Sequence, residues 1–266
     1  MLKLGSAAWA NNSFGPTLMQ AITAAGLTTN LQVCLDAGDP ASYPGSGTKW
    51  LDVSGNGYDF FLGTDGTTSA PTFVGVGRQS YWSFNGSTFF RYDTTNETWM
   101  QNLHKNNAIY SCVAFSYTIA GFNIIYGDMQ DNQANIGADF YSGTRPAIGV
   151  VRGGGNALAV SGDTSLTSGA WHMLGCSLNE ATGSGGGFFY SDGAYNQVSS
   201  SDTFNSTYTS PSASNATYTF EIGGWGNGGG SGNGGRMSCV AIWGGTAITK
   251  ANMDTLWASM RSRFSL

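Results

Sequence analysis

The chain has 266 residues, of which 40 are glycine and only 10% are charged, and its formal net charge is −5. Glycine is about twice as frequent as its average usage of ~7%, and the charged fraction is far below the usual ~25%. This size and composition favour one large all-β domain, and the absence of a lysine or arginine cluster argues against nucleic acid as a partner.

The first 29 residues differ in pattern from the rest of the chain. Pro16 can occupy the first position of a short helix that Gly26 ends. Its apolar face would contain Leu18, Ala21, Ile22 and Ala25. A helix this short is not stable alone, so we expect it to pack on the main domain or on a partner. We therefore divide the chain into an N-terminal docking extension, residues 1–29, and a main domain, residues 30–266.

The sequence contains no apolar segment typical of a cleaved export signal or of a membrane span. The start has no apolar run of ~7–15 residues before a small-residue cleavage site, and no later stretch approaches ~18 apolar residues. We therefore expect a soluble protein that is neither exported through a cleaved signal nor inserted into a membrane.

From residue 31 onward, apolar and polar residues mostly alternate, which is typical of β-strands with one buried face. Clusters of Gly, Asn, Asp and Ser separate twelve such segments. The segments are 31–37, 80–86, 89–95, 108–118, 122–129, 134–142, 145–153, 156–162, 171–179, 186–193, 218–225 and 236–245. Without helices between them, these strands predict a two-sheet antiparallel jelly-roll sandwich.

One good helical pattern closes the chain. Thr249 can cap its N-terminus, and Arg261 and Arg263 lie near its C-terminal end. The apolar residues that recur at helical spacing are Met253, Leu256, Trp257, Met260 and Phe264. We expect this face to cover an edge or a face of the sandwich.

The four cysteines are Cys34, Cys112, Cys176 and Cys239, and each lies inside a predicted strand. They form no close pair of the kind that a zinc site needs. We favour four reduced, buried thiols and leave a cross-sheet disulfide open.

The order of these segments resembles the concanavalin A-like superfamily, in particular the laminin-G-like jelly rolls of phage structural proteins. The resemblance rests on "LDAGDPASYPGSGTKWLDVSGNG", "WSFNGSTFFRYD", "WHMLGCSLN" with "FFYSDGAYN", and "FEIGGW" with "GRMSCVAIWGGTAITKANMDTLW". It spans residues 31 to 266. In the opening block, Asp52, Ser54 and Asn56 have the chemistry of a tight turn, and Trp50 would anchor that turn.

The resemblance implies a non-enzymatic virion protein that displays a jelly roll on a phage capsid or tail fibre. Residues 1–29 would then dock to other virion proteins, and the chain could form a homo-oligomer. A free carbohydrate-binding lectin, with or without calcium, is the alternative, and a glycoside hydrolase is the least favoured reading.

The glycine tract at residues 223–235 is either a flexible hairpin loop or a surface that contacts a sugar. In the second case Trp225 would stack on a sugar ring, and Asn227 and Asn233 would supply hydrogen bonds. Trp82 and Trp99 complete the predicted ligand-binding set as loop aromatics.

Signals for catalysis are weak. Glycosidases on this fold use paired carboxylates, but Glu97, Glu180 and Glu221 match no such run. We interpret His104 and His172 as solvated loop or strand-end residues, without the arrangement that activates a nucleophile.

No cofactor is predicted, although calcium is left open. Asp128, Asp131 and Asn132 form one group of candidate oxygen ligands. Asp36, Asp39 and Asp52 form another group. Relatives often carry an acidic residue just before the closing apolar strand, where this chain has Arg236, and this departure puts a calcium ion there in doubt.

Overall fold

The computed structural model describes residues 15–92, 98–129, 136–152, 156–162, 165–182, 187–197, 203–204 and 216–266. Within them, two antiparallel sheets face each other in an open sandwich. The predicted all-β jelly-roll architecture is therefore confirmed.

The strands are numbered in chain order. The first nine are β1 (Leu31–Asp36), β2 (Lys49–Trp50), β3 (Phe60–Leu62), β4 (Thr72–Val74), β5 (Tyr81–Ser83), β6 (Phe90–Arg91), β7 (Ile109–Tyr117), β8 (Asn123–Gly127) and β9 (Ile136–Ser142). The others are β10 (Pro146–Arg152), β11 (Asn156–Ser161), β12 (Trp171–Asn179), β13 (Gly187–Ser191), β14 (Ala194–Gln197), β15 (Thr203–Phe204), β16 (Glu221–Ile222) and β17 (Arg236–Gly244).

The first sheet has eight strands in the order β14-β13-β12-β7-β17-β5-β4, and β1 also pairs with β17. The second sheet has nine strands in the order β15-β11-β10-β9-β8-β16-β6-β3-β2. Many neighbours are distant in sequence, such as β7 and β17, so long-range pairing holds the sandwich together.

The main core lies between the two sheets. Because successive side chains of a strand point to opposite faces, each sheet contributes every second residue to this core. Trp50, Trp82 and Phe90 are fully buried in it, and their rings contact one another at centroid distances of 4.8 to 5.7 Å. Trp50 anchors the first long turn, as predicted.

That turn is organised by Asp52, again as predicted. Its Oδ1 accepts hydrogen bonds from the backbone N–H groups of Cys34 at 2.8 Å and Ser54 at 2.9 Å. Asn56 donates to the Leu31 carbonyl at 2.8 Å. The block therefore fastens the first strand to the chain that follows it.

The helices are α1 (Leu18–Ala24), α2 (Gln101–His104) and α3 (Lys250–Met260), and short 3-10 helices span Gly77–Gln79 and Arg261–Phe264. Thr17 caps α1 through a hydrogen bond from the N–H of Gln20, so Pro16 precedes the helix instead of opening it. Gly26 follows α1 with φ 69°, and Thr249 caps α3, both as predicted.

A second apolar layer covers the outer face of the first sheet. Leu18 and Ile22 of α1 and Met253, Leu256 and Met260 of α3 are buried there. Residues 15–29 therefore pack on the jelly roll. The rest of the predicted docking extension, residues 1–14, lies outside the described residues, and docking through it stays a prediction.

All four cysteines are buried and free, in agreement with the prediction of reduced thiols. Burial raises the pKa of each thiol above its ordinary value. None of the described helices is long and apolar enough to cross a membrane.

Candidate functional site

Two of the five predicted ligand-binding residues lie in the core. Trp82 is fully buried at the middle of β5, with the Phe90 ring edge-on at 4.9 Å. Trp99 is 3% exposed and packs against Tyr58 at 5.6 Å and Phe220 at 5.4 Å. A ring enclosed by other side chains cannot stack on a sugar. The prediction that Trp82 and Trp99 are ligand-binding loop aromatics is therefore wrong.

The other three predicted residues lie on one loop, residues 223–235, between β16 and β17. Trp225 is half-buried, whereas Asn227 and Asn233 are exposed. The loop backbone rests on the outer face of the second sheet at Gly127, where a Cβ would lie 2.8 Å from the Gly224 carbonyl oxygen. We call this segment the glycine loop.

Hydrogen bonds tie the glycine loop to the sheet beneath it. Glu221 Oε2 accepts a hydrogen bond from the Gly226 N–H at 2.8 Å. The Ser231 hydroxyl accepts from the Ile124 N–H at 2.8 Å and donates to the Ile124 carbonyl at 3.0 Å. The Gly232 N–H donates to a carbonyl of the loop before β8. The glycine loop is thus a packed part of the surface and not a free hairpin.

Glycine is required at position 226 for two reasons. Its φ of +88° is one that side-chain-bearing residues rarely adopt. A Cβ there would also lie 2.9 Å from the Cα of Asp128. At Gly228 φ is similar, +90°, but a Cβ would meet nothing closer than 3.9 Å. Backbone conformation therefore favours glycine at both positions, and close approach to the sheet requires it at position 226 as well.

The glycine loop brings Trp225 next to Phe122 and Tyr141. The ring centroids are 6.0 Å apart for Phe122 and Trp225, 5.3 Å for Tyr141 and Trp225, and 5.5 Å for Phe122 and Tyr141. All three pairs are edge-to-face, a preferred aromatic geometry. We call Phe122, Tyr141 and Trp225 the aromatic patch.

Sequence reasoning missed Phe122 and Tyr141. Phe122 is 57% exposed, a large share for a phenylalanine, and it precedes β8. Tyr141 follows Phe140 in β9, and Phe140 points into the core, so alternation places Tyr141 on the outer face. The alternation was visible in the sequence, but the proximity to Trp225 was not.

Asn227 adds a polar group beside the aromatic patch. Its side-chain oxygen accepts a hydrogen bond from the Gly229 N–H at 3.1 Å, which fixes the amide. Its NH₂ group donates to no described residue and is available to a ligand. For Asn233, which follows Gly232 on the same loop, no contact with the patch is seen among the described residues.

Glu221 lies beneath the loop and holds it in place. Its Oε1 accepts two hydrogen bonds from Arg91, at 3.0 and 2.6 Å. Burial raises the pKa of Glu221, and this outweighs the lowering by Arg91 and the loop amides. Glu221 is fully buried, so its role is to position the loop.

Asp128 is a second buried carboxyl close to the loop. Its Oδ1 accepts the Ala138 N–H at 2.6 Å, and its Oδ2 lies 3.9 Å from His104 Nδ1. Burial raises the pKa of Asp128 to about 7. His104 is itself fully buried, so the prediction of a solvated loop histidine is wrong at this position.

His172 lies at the start of β12, as predicted for a strand-end residue, but it is buried and not solvated. Its Nδ1 contacts Asp192 Oδ2, and its Nε2 lies 2.8 Å from the Thr167 carbonyl. Burial lowers the pKa of His172, but the bonds to Asp192 and Thr167 outweigh it and the net pKa is raised. Both ring nitrogens therefore face oxygen acceptors, and neither is free to activate a nucleophile.

The carboxylates proposed for calcium have other partners in the described structure. Asp36 binds Arg263, and Asp52 accepts the backbone amides of the first turn. Nowhere in the described ranges do three or more His, Cys, Asp or Glu residues converge as metal ligands. Asp131 and Asn132 lie outside those ranges, and calcium binding there stays a prediction.

No protein-family model and no curated protein sequence matches the chain, but solved structures do. A Trypanosoma rangeli sialidase in complex with sialic acid is 13% identical with a TM-score of 0.54, and the match covers 87% of this chain and 33% of that one. A structure of botulinum neurotoxin type C, whose cell entry depends on interaction with two ganglioside molecules, is 10% identical with a TM-score of 0.58, and the match covers 89% of this chain and 53% of that one. The ligand binding domain of botulinum neurotoxin serotype D, in complex with N-acetylneuraminic acid, is 8% identical with a TM-score of 0.55. The match covers 90% of this chain and 52% of that one.

At these identities the likeness shows a common fold and no activity. The chain spans about a third of the sialidase and about half of the two neurotoxin chains. The prediction of a non-enzymatic protein is contradicted by this comparison, because sialidases are among the solved structures that share the fold. The chain has a jelly-roll β-sandwich fold, which it shares with part of this sialidase and with part of the two neurotoxin chains.

Proposed function

We propose that this chain is a glycan-binding domain that holds a sugar ring on the aromatic patch. The proposal rests on one observation: the exposed Phe122 lies beside the half-buried rings of Tyr141 and Trp225, on a surface that the glycine loop holds in place. Large apolar rings stabilise a ligand by burying its C–H surface, and a few polar groups orient it. The amide of Asn227 is such a group.

The comparisons support the ligand class. The matched sialidase is in complex with sialic acid, the serotype D domain is in complex with N-acetylneuraminic acid, and cell entry of the type C neurotoxin depends on two ganglioside molecules. We therefore place sialylated glycans first among the candidates and keep neutral and bacterial polysaccharides in the test.

A glycan array with the intact chain, followed by titration of the strongest ligand, tests this function. Trp225→Ala is expected to weaken binding at least about tenfold, because truncating a central aromatic anchor commonly costs ~2 kcal/mol. Tyr195→Ala removes an exposed ring on β14 of the first sheet and serves as the matched control. Equal binding by the Trp225→Ala variant, or no glycan bound at all, would refute the proposal.

Two further arms use the same ligand. A chelator shows whether binding needs calcium. Release of free sugar from the bound glycan shows whether the chain also hydrolyses it.

Location on a phage particle is a finer proposal, supported by the sequence resemblance. Mass spectrometry and cryo-EM of purified particles test it, with a version lacking residues 1–29 as the comparison. Density that disappears on truncation would support docking through that segment to other virion proteins, and absence of the chain from particles would end this proposal. Light scattering tests the predicted homo-oligomer.

A further inference from the structure

The outer face of the first sheet carries a second aromatic cluster, just beyond the C-terminal 3-10 helix. That helix ends at Phe264, whose ring lies 5.2 Å from the ring of Trp171. Trp171 is paired with Tyr117 across β12 and β7, and Tyr117 with Arg236 across β7 and β17. Tyr81 of β5 completes the group, which we call the arginine cluster: Tyr81, Tyr117, Trp171 and Arg236.

The two tyrosine rings of the arginine cluster contact the guanidinium of Arg236. Its Cζ lies 4.4 Å from the ring centroid of Tyr117 and 5.1 Å from that of Tyr81. Trp171 is edge-to-face with both tyrosines, at 5.8 and 5.7 Å. These contacts hold the cation over two ring faces by cation–π attraction, and all four residues remain partly exposed.

Arg236 has a different charge environment from Arg91, Arg152 and Arg263. Arg91, Arg152 and Arg263 are each bound to a glutamate or an aspartate. Arg236 has no carboxylate within 4.0 Å in the described part of the chain, and its side chain donates no hydrogen bond to a described residue. In a chain of net charge −5, this cation is held in place without a counterion from the described residues.

A guanidinium in this setting suits an anion that is planar and attached to an apolar body. Its N–H donors lie in the plane of the group and match the two oxygens of a carboxylate. Aromatic rings beside it can contact the carbon skeleton of the same ligand. A lysine would offer a point charge without this fork.

We propose that the arginine cluster is a binding site for the carboxylate of an acidic sugar. It lies on the first sheet, whereas the aromatic patch lies on the second, so this site goes beyond the proposed function and does not depend on it. The carboxylate binds Arg236, and the sugar ring packs against Trp171 and the tyrosines.

The test is an NMR titration of the intact chain with D-glucuronate and with D-glucose, which lacks the carboxylate. Ligand efficiency puts a sugar of this size near a Kd of ~1 mM, so the titration extends to about 50 mM. We expect glucuronate to bind at least about tenfold more tightly than glucose. Acetate should compete much more weakly than glucuronate, because it has no ring to contact the aromatics.

Variants assign the binding to this site. Arg236→Ala is expected to weaken glucuronate binding at least about tenfold, and Arg236→Lys severalfold. Arg145→Ala, an exposed arginine on the second sheet's loop before β10, is the control and should bind as the natural chain does.

Three results would overturn the proposal: no glucuronate bound by about 50 mM, equal binding by Arg236→Ala, or equal binding of glucose. If acetate competes as strongly as glucuronate, the site binds the carboxylate alone. That result would refute the proposal that the site recognises an acidic sugar. Far-UV circular dichroism of each variant confirms that the fold is retained.

Discussion

Asp36 in β1 and Arg263 in the C-terminal 3-10 helix form a fully buried ion pair. Arg263 donates to Asp36 Oδ2 at 2.7 Å and to Oδ1 at 2.5 Å. The backbone N–H of Leu18, the first residue of α1, donates to the same carboxylate at 2.8 Å. One carboxylate therefore joins the N-terminal helix, the first strand and the C-terminal end of the described chain.

Removing one member of this pair is expected to destabilise the fold strongly. Arg263→Met leaves Asp36 buried without its countercharge, and such losses cost about 3–5 kcal/mol. The free energy of unfolding, measured in urea, checks this. The control is Lys250→Met, which breaks the exposed Lys250–Asp254 pair and should cost less than ~1 kcal/mol. Similar losses in both variants would contradict the assignment.

The glycine loop gives a prediction with a matched pair of variants. Gly226→Ala forces a Cβ to within 2.9 Å of Asp128 Cα, whereas Gly228→Ala has comparable backbone strain but no contact closer than 3.9 Å. We expect Gly226→Ala to displace the loop and reduce glycan affinity several times more than Gly228→Ala. Titration of the same glycan measures this, and equal affinities would show that loop packing does not position Trp225.

Stability should depend on pH through Asp128. Its pKa is about 7 in the folded chain because of burial, against 3.8 for an ordinary aspartate. The folded chain therefore binds a proton that the unfolded chain has already released between these values. It follows that the free energy of unfolding falls as pH rises from about 4 to about 7.

Asp128→Asn removes this titration while keeping an oxygen to accept the Ala138 N–H. Urea unfolding at several pH values should show a smaller decline for the variant than for the natural chain. His172 and Glu221 also have raised pKa values. They add the same pH dependence to the free energy of unfolding of both proteins, so their effect drops out of the difference between the two curves. Parallel curves for the two proteins would mean that Asp128 does not titrate in this range.

The cysteines should be unreactive in the folded chain. The thiolate is the reacting species, and burial raises the pKa of Cys34, Cys112, Cys176 and Cys239. A thiol reagent should label none of them in the native protein and all four in denaturant. Rapid native labelling would contradict the burial, and fewer than four thiols in denaturant would indicate a disulfide.

The sequence predicted those parts of the fold that depend on local patterns. Alternation gave the long strands β7, β12 and β17, and Thr249 and Gly26 marked helix ends because capping is a local interaction. The role of Asp52 was visible because short polar side chains bond their neighbours' amides.

Contacts between segments that are distant in sequence could not be predicted from local patterns. Alternation divides residues between two faces but does not say which face is buried, so Trp82 and Trp225 looked alike as aromatics near turns. The partners of His172 and Arg263 lie on other elements, and the joining of Phe122 to Trp225 depends on how the glycine loop crosses β8. Trp225 and Asn227 of the candidate site were therefore predicted from the sequence, whereas Phe122 and Tyr141 could be found only from the structure.

The most direct test of glycan binding at the aromatic patch is the indole N–H region of a proton–nitrogen NMR spectrum. The chain has eight tryptophans, and Trp225→Phe identifies the signal of Trp225. On titration with the strongest glycan of the array, the Trp225 signal should shift most, while those of the buried Trp50 and Trp82 stay in place. A bound glycan that leaves the Trp225 signal unmoved would place the binding site elsewhere.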